Sequence, residues 1–309
     1  MIIDSHAHWL PEEIITNAHF FHKGWGDIEA QLKAMDEAGI SKAVLSYPTS
    51  DAHLKIGSVS RTACIYNDNV AKIIKRYPHR FIGAAMLPID NPKDMCEELK
   101  RATEELGFKA ISLASSYNGI YLDDQRFLPV YNIARQKKIP IFVHAQIVNP
   151  IGAERLQDPL LTPVIGYVFD ITLSAGKLLM SDILRDYYDL KFIFAHFAGV
   201  IPFLQHRFDA TYSMLRSINF VKDLKGNPSD YLKNIYVDTG GDKTKANFLL
   251  ALELFGPRHI LWGSDWPAKK DISNSIGAVR ELAISEEDKN NILGRNLESL
   301  LAFSLSSSP

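Results

Sequence analysis

Eight short apolar runs, each separated from the next by a stretch of helical periodicity, set the limits on what this 309-residue chain can fold into. The runs are residues 1–8, 42–47, 80–87, 108–114, 140–144, 191–196, 234–239 and 259–265. Helical patterns fill residues 27–39, 61–76, 92–106, 124–137, 172–188, 202–221, 243–255, 272–284 and 286–303. In the first helix Ile28, Leu32 and Met35 share a face, with Gly39 as the stop, and Pro92 and Gly107 bracket the third as first-turn and C-cap residues. Strands that are apolar throughout, rather than alternating, belong in a parallel sheet covered on both faces. Eight such units predict a (β/α)₈ TIM barrel. An open doubly wound sheet would need a Gly-rich phosphate loop after its first strand, and none is present. No linker, charge block or repeat divides the chain, so one barrel domain over residues 1–309 is expected. It would carry a lid insertion at 145–170, with three prolines and little periodicity, and a frayed Ser-rich tail at 304–309.

A formal net charge of -2 gives no sign of a nucleic-acid partner. Cys64 and Cys96 are the only cysteines, too few for a disulfide framework. No apolar run reaches membrane-spanning length and no targeting segment is recognisable. The expectation is a cytoplasmic protein with a small-molecule substrate and neither membrane nor nucleic acid as partner.

Active sites of such barrels lie at the C-terminal ends of the strands, so polar residues there carry the most information. Strand one ends at His6 and His8, which share a face by the two-residue period. Strand five ends at His144, strand six at His196 and strand eight at Asp265. A lone histidine is often structural, but four histidines and an aspartate converging on one rim would be short of partners in a bare core. His and Asp ligation suits Zn²⁺ and other borderline divalent ions, Mn²⁺ among them.

The motifs HAHWLP around His8, AHFAGVIPF at His196 and GSDWP at Asp265, with RFIGAAMLP, Leu122–Asp124 and the span Gly166 to Arg207, resemble the amidohydrolase superfamily. The resemblance is to the amidohydrolase-related branch typified by aminocarboxymuconate-semialdehyde decarboxylase, and it covers nearly the whole chain. It implies that His6, His8, His144 and Asp265 are ligands of one divalent metal, and that His196 is a general acid/base beside the metal-bound water. Asp265 would thus be both ligand and catalytic residue. A catalytic metal needs an open position, which favours keeping His196 out of the ligand set. Binuclear members of the superfamily carry a bridging lysine at the end of strand four, whereas Ile111–Ala114 has none. The resemblance further implies that Arg207 binds a substrate carboxylate across a homodimer interface, a task suited to a guanidinium fork. Two places depart from that branch: Phe197-Ala198-Gly199 after His196, expected to crowd the pocket, and Thr239-Gly240-Gly241 at the end of strand seven.

Other residues are read more plainly. Trp9 and Trp266 flank ligands and are expected to line the pocket. Tyr167 and Phe169 either wall a planar substrate or, the better reading, pack the lid. Arg61 is a second candidate carboxylate contact. Asp170, Asp238 and Asp242 read as structural, with Asp238 bonding backbone near the end of strand seven, and Lys269 and Lys270 as a solvated turn. The function expected is non-oxidative decarboxylation of a small unsaturated or aromatic carboxylic acid. The same site would serve equally for hydrolysis of a lactone, ester or amide, since fold and site alone do not choose the reaction. A non-catalytic barrel is the third reading, and the complete set of polar strand ends argues against it.

Overall fold

The computed structural model describes residues 1–302, so Phe303 and the Ser-rich tail at 304–309 lie outside the described residues. Eight strands form the expected sheet: β1 (Ile2–His8), β2 (Ile40–Ser46), β3 (Phe81–Met86), β4 (Ala110–Ala114), β5 (Ile141–His144), β6 (Phe192–Phe194), β7 (Ile235–Asp238) and β8 (Ile260–Leu261). They pair in that order and every pairing is parallel. Beyond β8 the chain returns to β1. Ser5 N donates to Trp262 O at 3.1 Å, Asp265 N to His6 O at 2.8 Å and His8 N to Trp266 O at 2.8 Å. These bonds shut the sheet into a barrel and remove its edges.

Two apolar layers follow from the alternation of side chains. Inside the barrel, Ile3, Val44, Ala84, Ala110, Phe142, Ile193 and Leu261 pack on one another, and Leu297, Leu300 and Leu301 of the last helix plug the end remote from the histidines. The larger layer lies between the strands and the surrounding helices. β1 belongs to both in an irregular way: Ile3 packs inside and Ala7 outside, although strict alternation would put both on one face. The register explains this. Asp4 pairs with Ala43 and Ala7 with Leu45, so β1 holds one extra residue over that interval. Such a bulge re-aims everything after it, turning His6 and His8 inward.

Most helices follow the expected spans, with caps where the sequence offers them: Asp27 Oδ1 accepts from Ala30 N, Ser58 Oγ from Arg61 N and Asn91 Oδ1 from Lys93 N. The lid differs. The helix expected from residue 172 begins at Tyr167, preceded by a π turn over Thr162–Gly166, and ends at Leu179. Pro163 was a loop signal in the sequence, yet it sits in the first turn, where no intrahelical N–H bond is forgone. The unstructured part of the lid is correspondingly shorter. Two small elements appear where connections were expected: a helix at Glu12–Asn17 and a hairpin pairing Ser116–Tyr117 with Ile120–Tyr121 through Asn118-Gly119. Among the described residues no helix is long and apolar enough to cross a membrane.

Candidate metal centre and active site

At the C-terminal rim, side chains from two strand ends, β1 and β5, and from the turn after β8 meet. One ligand atom each from His6, His8, His144 and Asp265 lies within 4.8 Å of all the others. His6 Nε2 and His8 Nε2 are 3.1 Å apart, and Asp265 Oδ1 stands 3.5 Å from the first and 3.6 Å from the second. The far nitrogen of every ring is already engaged. His6 Nδ1 donates to Asp238 at 3.0 Å, His8 Nδ1 to the Ser46 carbonyl at 3.0 Å and His144 Nδ1 to the Ala145 carbonyl at 3.0 Å. That fixes three Nε2 lone pairs toward a common point, the outer-sphere arrangement a metal-binding histidine requires.

Electrostatics suits the same occupant. Burial pushes the pKa of His8 down and that of His144 well down, where neighbouring imidazoles add to the effect. Burial likewise takes His196 to about 4, against the pull of Asp265. Asp265 is lowered despite its burial, because His8, His6 and His196 favour its charge. His6 is the exception: burial lowers it, but the Asp238 carboxylate more than offsets this and lifts it to about 9. Three imidazole nitrogens, of which that of His6 carries a proton until an ion displaces it, crowd one carboxylate at these distances. A divalent cation satisfies all four, and the donor set fits it.

His196 stands beside this cluster, its ring centroid 5.1 Å from that of His6. His196, Phe197 and Ala198 all adopt left-handed backbone, with φ of 52, 57 and 59°. Left-handed geometry costs non-glycine residues about 1–2 kcal/mol each, so this turn is one that glycine would adopt more cheaply. Phe197 lines the cavity and packs edge-on against Phe248 with centroids 5.3 Å apart.

Two acidic residues do more than the sequence suggested. Asp238 bonds backbone as expected, accepting from Gly240 N at 2.9 Å and His196 N at 3.2 Å, but it also holds His6. Asp4, singled out by no pattern, accepts from His6 N at 3.0 Å, Ser264 N at 2.9 Å and Ser264 Oγ at 2.5 Å, tying β1 to the turn that presents Asp265. Burial pushes its pKa up to about 6, opposed by the Ser264 bonds. The contacts of Asp238 with His6 and of Asp4 with Ser264 span more than 200 residues of sequence, and only a signal that pairs distant positions could have found them. Buried Asp170 anchors the lid through Ile151 N at 2.8 Å, whereas Asp242 accepts from Asn247 at 2.7 Å and also lines the cavity.

The site opens into a cavity of about 510 Å³ whose wall is largely apolar. Its lining includes His8, His144, His196 and Asp265, with Trp25, Tyr167, Val168 and Lys269. Several expected pocket residues lie elsewhere. Trp9 turns to the Gly26 carbonyl, 2.9 Å from Nε1, and it is Trp25 that stacks on His8 at 5.9 Å. Trp266 packs against the core, and Phe169 is half exposed on the outer face of its helix, one residue from the Tyr167–Val168 wall. Arg207 is exposed on the Ile201–Ser217 helix and does not line the cavity of its own chain. Arg61 pairs with Glu13 at the surface, 3.7 Å away. Lys269 and Lys270 are both exposed as expected, but Lys269, 46% exposed, also lines the cavity: its Nζ donates to the Gly240 carbonyl at 2.5 Å and lies 3.7 Å from Asp265 Oδ2.

Comparison with known proteins agrees with this fold. The 2-amino-3-carboxymuconate-6-semialdehyde decarboxylase of Dictyostelium discoideum is 27% identical over 238 residues, an alignment covering 74% of this chain and 63% of that one. The gamma-resorcylate decarboxylase of Polaromonas sp. is 25% identical over 316 residues, covering 95% and 96%. The crystal structure of dihydroxybenzoic acid decarboxylase from Polaromonas sp. JS666, with bound manganese and the inhibitor 2-nitroresorcinol, superposes with a TM-score of 0.83 at 23% identity, covering 99% of this chain and 98% of that one. The model of the amidohydrolase family matches residues 3–303, and this chain, a metal-site (β/α)₈ barrel, belongs to that family.

Proposed function

We propose that this protein is a non-oxidative decarboxylase of a small aromatic or unsaturated carboxylic acid, dependent on one divalent metal ion. The observation that carries the reading is the convergence of three oriented Nε2 atoms and one carboxylate at the base of a largely apolar cavity. The decarboxylase names of full-length relatives support it.

His6, His8, His144 and Asp265 would hold the ion, which when bound polarises and orients substrate oxygens. In the reaction the bond between the carboxylate carbon and the ring or vinyl carbon breaks. Its electron pair stays on the latter, a proton from solvent takes the vacated place, and CO₂ leaves. The chain supplies His196 to carry that proton, since Asp265 is a ligand whose carboxylate the neighbouring histidines hold ionised. His196, held neutral by burial, has one nitrogen free of its proton at pH 7. Asp265 turns Oδ1 to the histidines and Oδ2 toward Lys269. The apolar wall excludes water from the departing CO₂.

The metal proposed is Zn²⁺, for which imidazole-rich sets are suited, with Mn²⁺ as the alternative given the manganese in the solved relative. A homodimer is proposed too, with Arg207 reaching a neighbouring subunit's site. Phe203 and Phe220, 70% and 75% exposed near it, form apolar surface of the kind subunits bury. A cytoplasmic location fits this small-molecule chemistry.

The test is CO₂ release from a panel of hydroxybenzoates and unsaturated acids, before and after chelation. Chelator-sensitive CO₂ release is the expected result. Hydrolysis of lactones, esters or amides with no CO₂ from any acid would replace this reading with the hydrolase one.

A further inference from the structure

Lys269 is the one Lys or Arg among the residues lining the cavity. The turn after β7 is shaped around it. Gly240 and Gly241 adopt left-handed φ of 47 and 69°, open to glycine at little cost. A Cβ on Gly240 would fall 2.0 Å from His196 Nδ1, and one on Gly241 would fall 2.9 Å from Lys269 Cδ and 2.5 Å from the Ser264 carbonyl. The two missing side chains therefore clear room for the His196 ring and for the passage of Lys269 into the cavity. The Gly240 carbonyl, 2.5 Å from Nζ, then fixes the ammonium beside Asp265.

We propose that Lys269 holds the substrate's carboxylate and that it selects monocarboxylates; the location of the site rests on the decarboxylase reading, the recognition does not. An ammonium has three donors and no acceptor need. The carbonyl takes one, which leaves donors for an oxygen inside the cavity. Charge points to the same class. Asp242 and Asp265 are the acidic residues of the lining and Lys269 its cation. With a divalent ion in place the wall carries one net positive charge, which one carboxylate neutralises and two would reverse. An unpaired second carboxylate against the apolar wall is costly. The substrate is thus an acid with one carboxylate on a planar, mostly apolar body. Within one chain the cation that meets it is Lys269, Arg207 lying outside its own chain's cavity.

The experiment measures binding by calorimetry, without turnover, to manganese-loaded wild type, Lys269→Gln and Lys269→Arg. The probes are 2,6-dihydroxybenzoate, its carboxylate-free counterpart resorcinol, and benzene-1,3-dicarboxylate. Gln keeps N–H donors on a side chain one bond shorter and removes the charge, and Lys269→Arg, which keeps the charge, controls for the change in reach. Expected are binding of the monocarboxylate weakened about tenfold or more in Lys269→Gln, unchanged resorcinol affinity, metal content and melting temperature, and recovery in Lys269→Arg. The dicarboxylate should bind wild type more weakly than the monocarboxylate. Undiminished carboxylate binding by Lys269→Gln overturns the proposal, as does equal loss of resorcinol and carboxylate, or a wild type that binds no carboxylate. Lys269-dependent binding with no CO₂ release from any acid would sink the decarboxylase reading and leave this one standing.

Discussion

The two sides of the cavity are built on different principles. On the side where β1 meets the turn after β8, everything is internal. His6, His8, Asp4 and Ser264 are each 2% exposed or less, and every polar atom that aims a ligand bonds to another buried group. On the lid, the Ile201–Ser217 helix and the segment just after it, Leu160, Phe203 and Phe220 are 70–78% exposed, and neither Phe169 nor Arg207 reaches the cavity. The chemistry is preorganised by the chain alone, whereas the outer wall presents surface that a second copy would cover. The ligand cage and the exposed outer wall therefore sit on structurally separate parts of the rim.

That contrast can be broken in order of effect. His196→Asn should lower kcat by about 10²–10⁴-fold with metal content retained, as removal of a proton carrier does; loss of the metal as well would make His196 a ligand. Asp238→Ala should weaken metal affinity about 10–100-fold, read by competition with a chelating dye, because His6 loses the partner that orients it. An unchanged affinity would make Asp238 a purely structural residue.

Proton linkage sharpens the same side. Without metal, His6 has its pKa at about 9, so below that pH it carries a second ring proton, which an incoming ion must displace. His8, His144 and His196 are lowered and do not compete near neutrality. Affinity should then fall as pH drops below 9, by about tenfold per unit, with roughly one proton released per ion bound. A pH-independent affinity from 7 to 8.5 would contradict that assignment. The smallest effect belongs to the outer wall. Phe203→Asp should change unfolding stability by no more than about 0.5 kcal/mol, yet shift sedimentation from dimer to monomer. A monomeric wild type would remove Arg207 from the site altogether.

The barrel was legible because its strands are short apolar runs that admit little else, and the ligand positions because polar residues end those runs. Even there, the face His6 and His8 present depends on a bulge that no pattern announces. The supporting residues were not legible: Asp4 meets Ser264, and Asp238 meets His6, across most of the chain. Gly240 and Gly241 registered only as a departure, since what they make room for comes from β6 and from the turn after β8. Lys269 read as solvated because a lysine beside Lys270 in a Pro-containing turn ordinarily is. The lid helix began early because Pro163 is as compatible with a first turn as with a loop.

The central claim is that four residues hold one ion while His196 stands outside. Elemental analysis of wild type, His144→Ala and His196→Ala, each purified and dialysed alike, tests it directly. About one divalent ion per chain in wild type and His196→Ala, with none in His144→Ala, is the predicted result. A wild type that takes up no metal on reconstitution, or a His144→Ala variant that keeps a full equivalent, would contradict it.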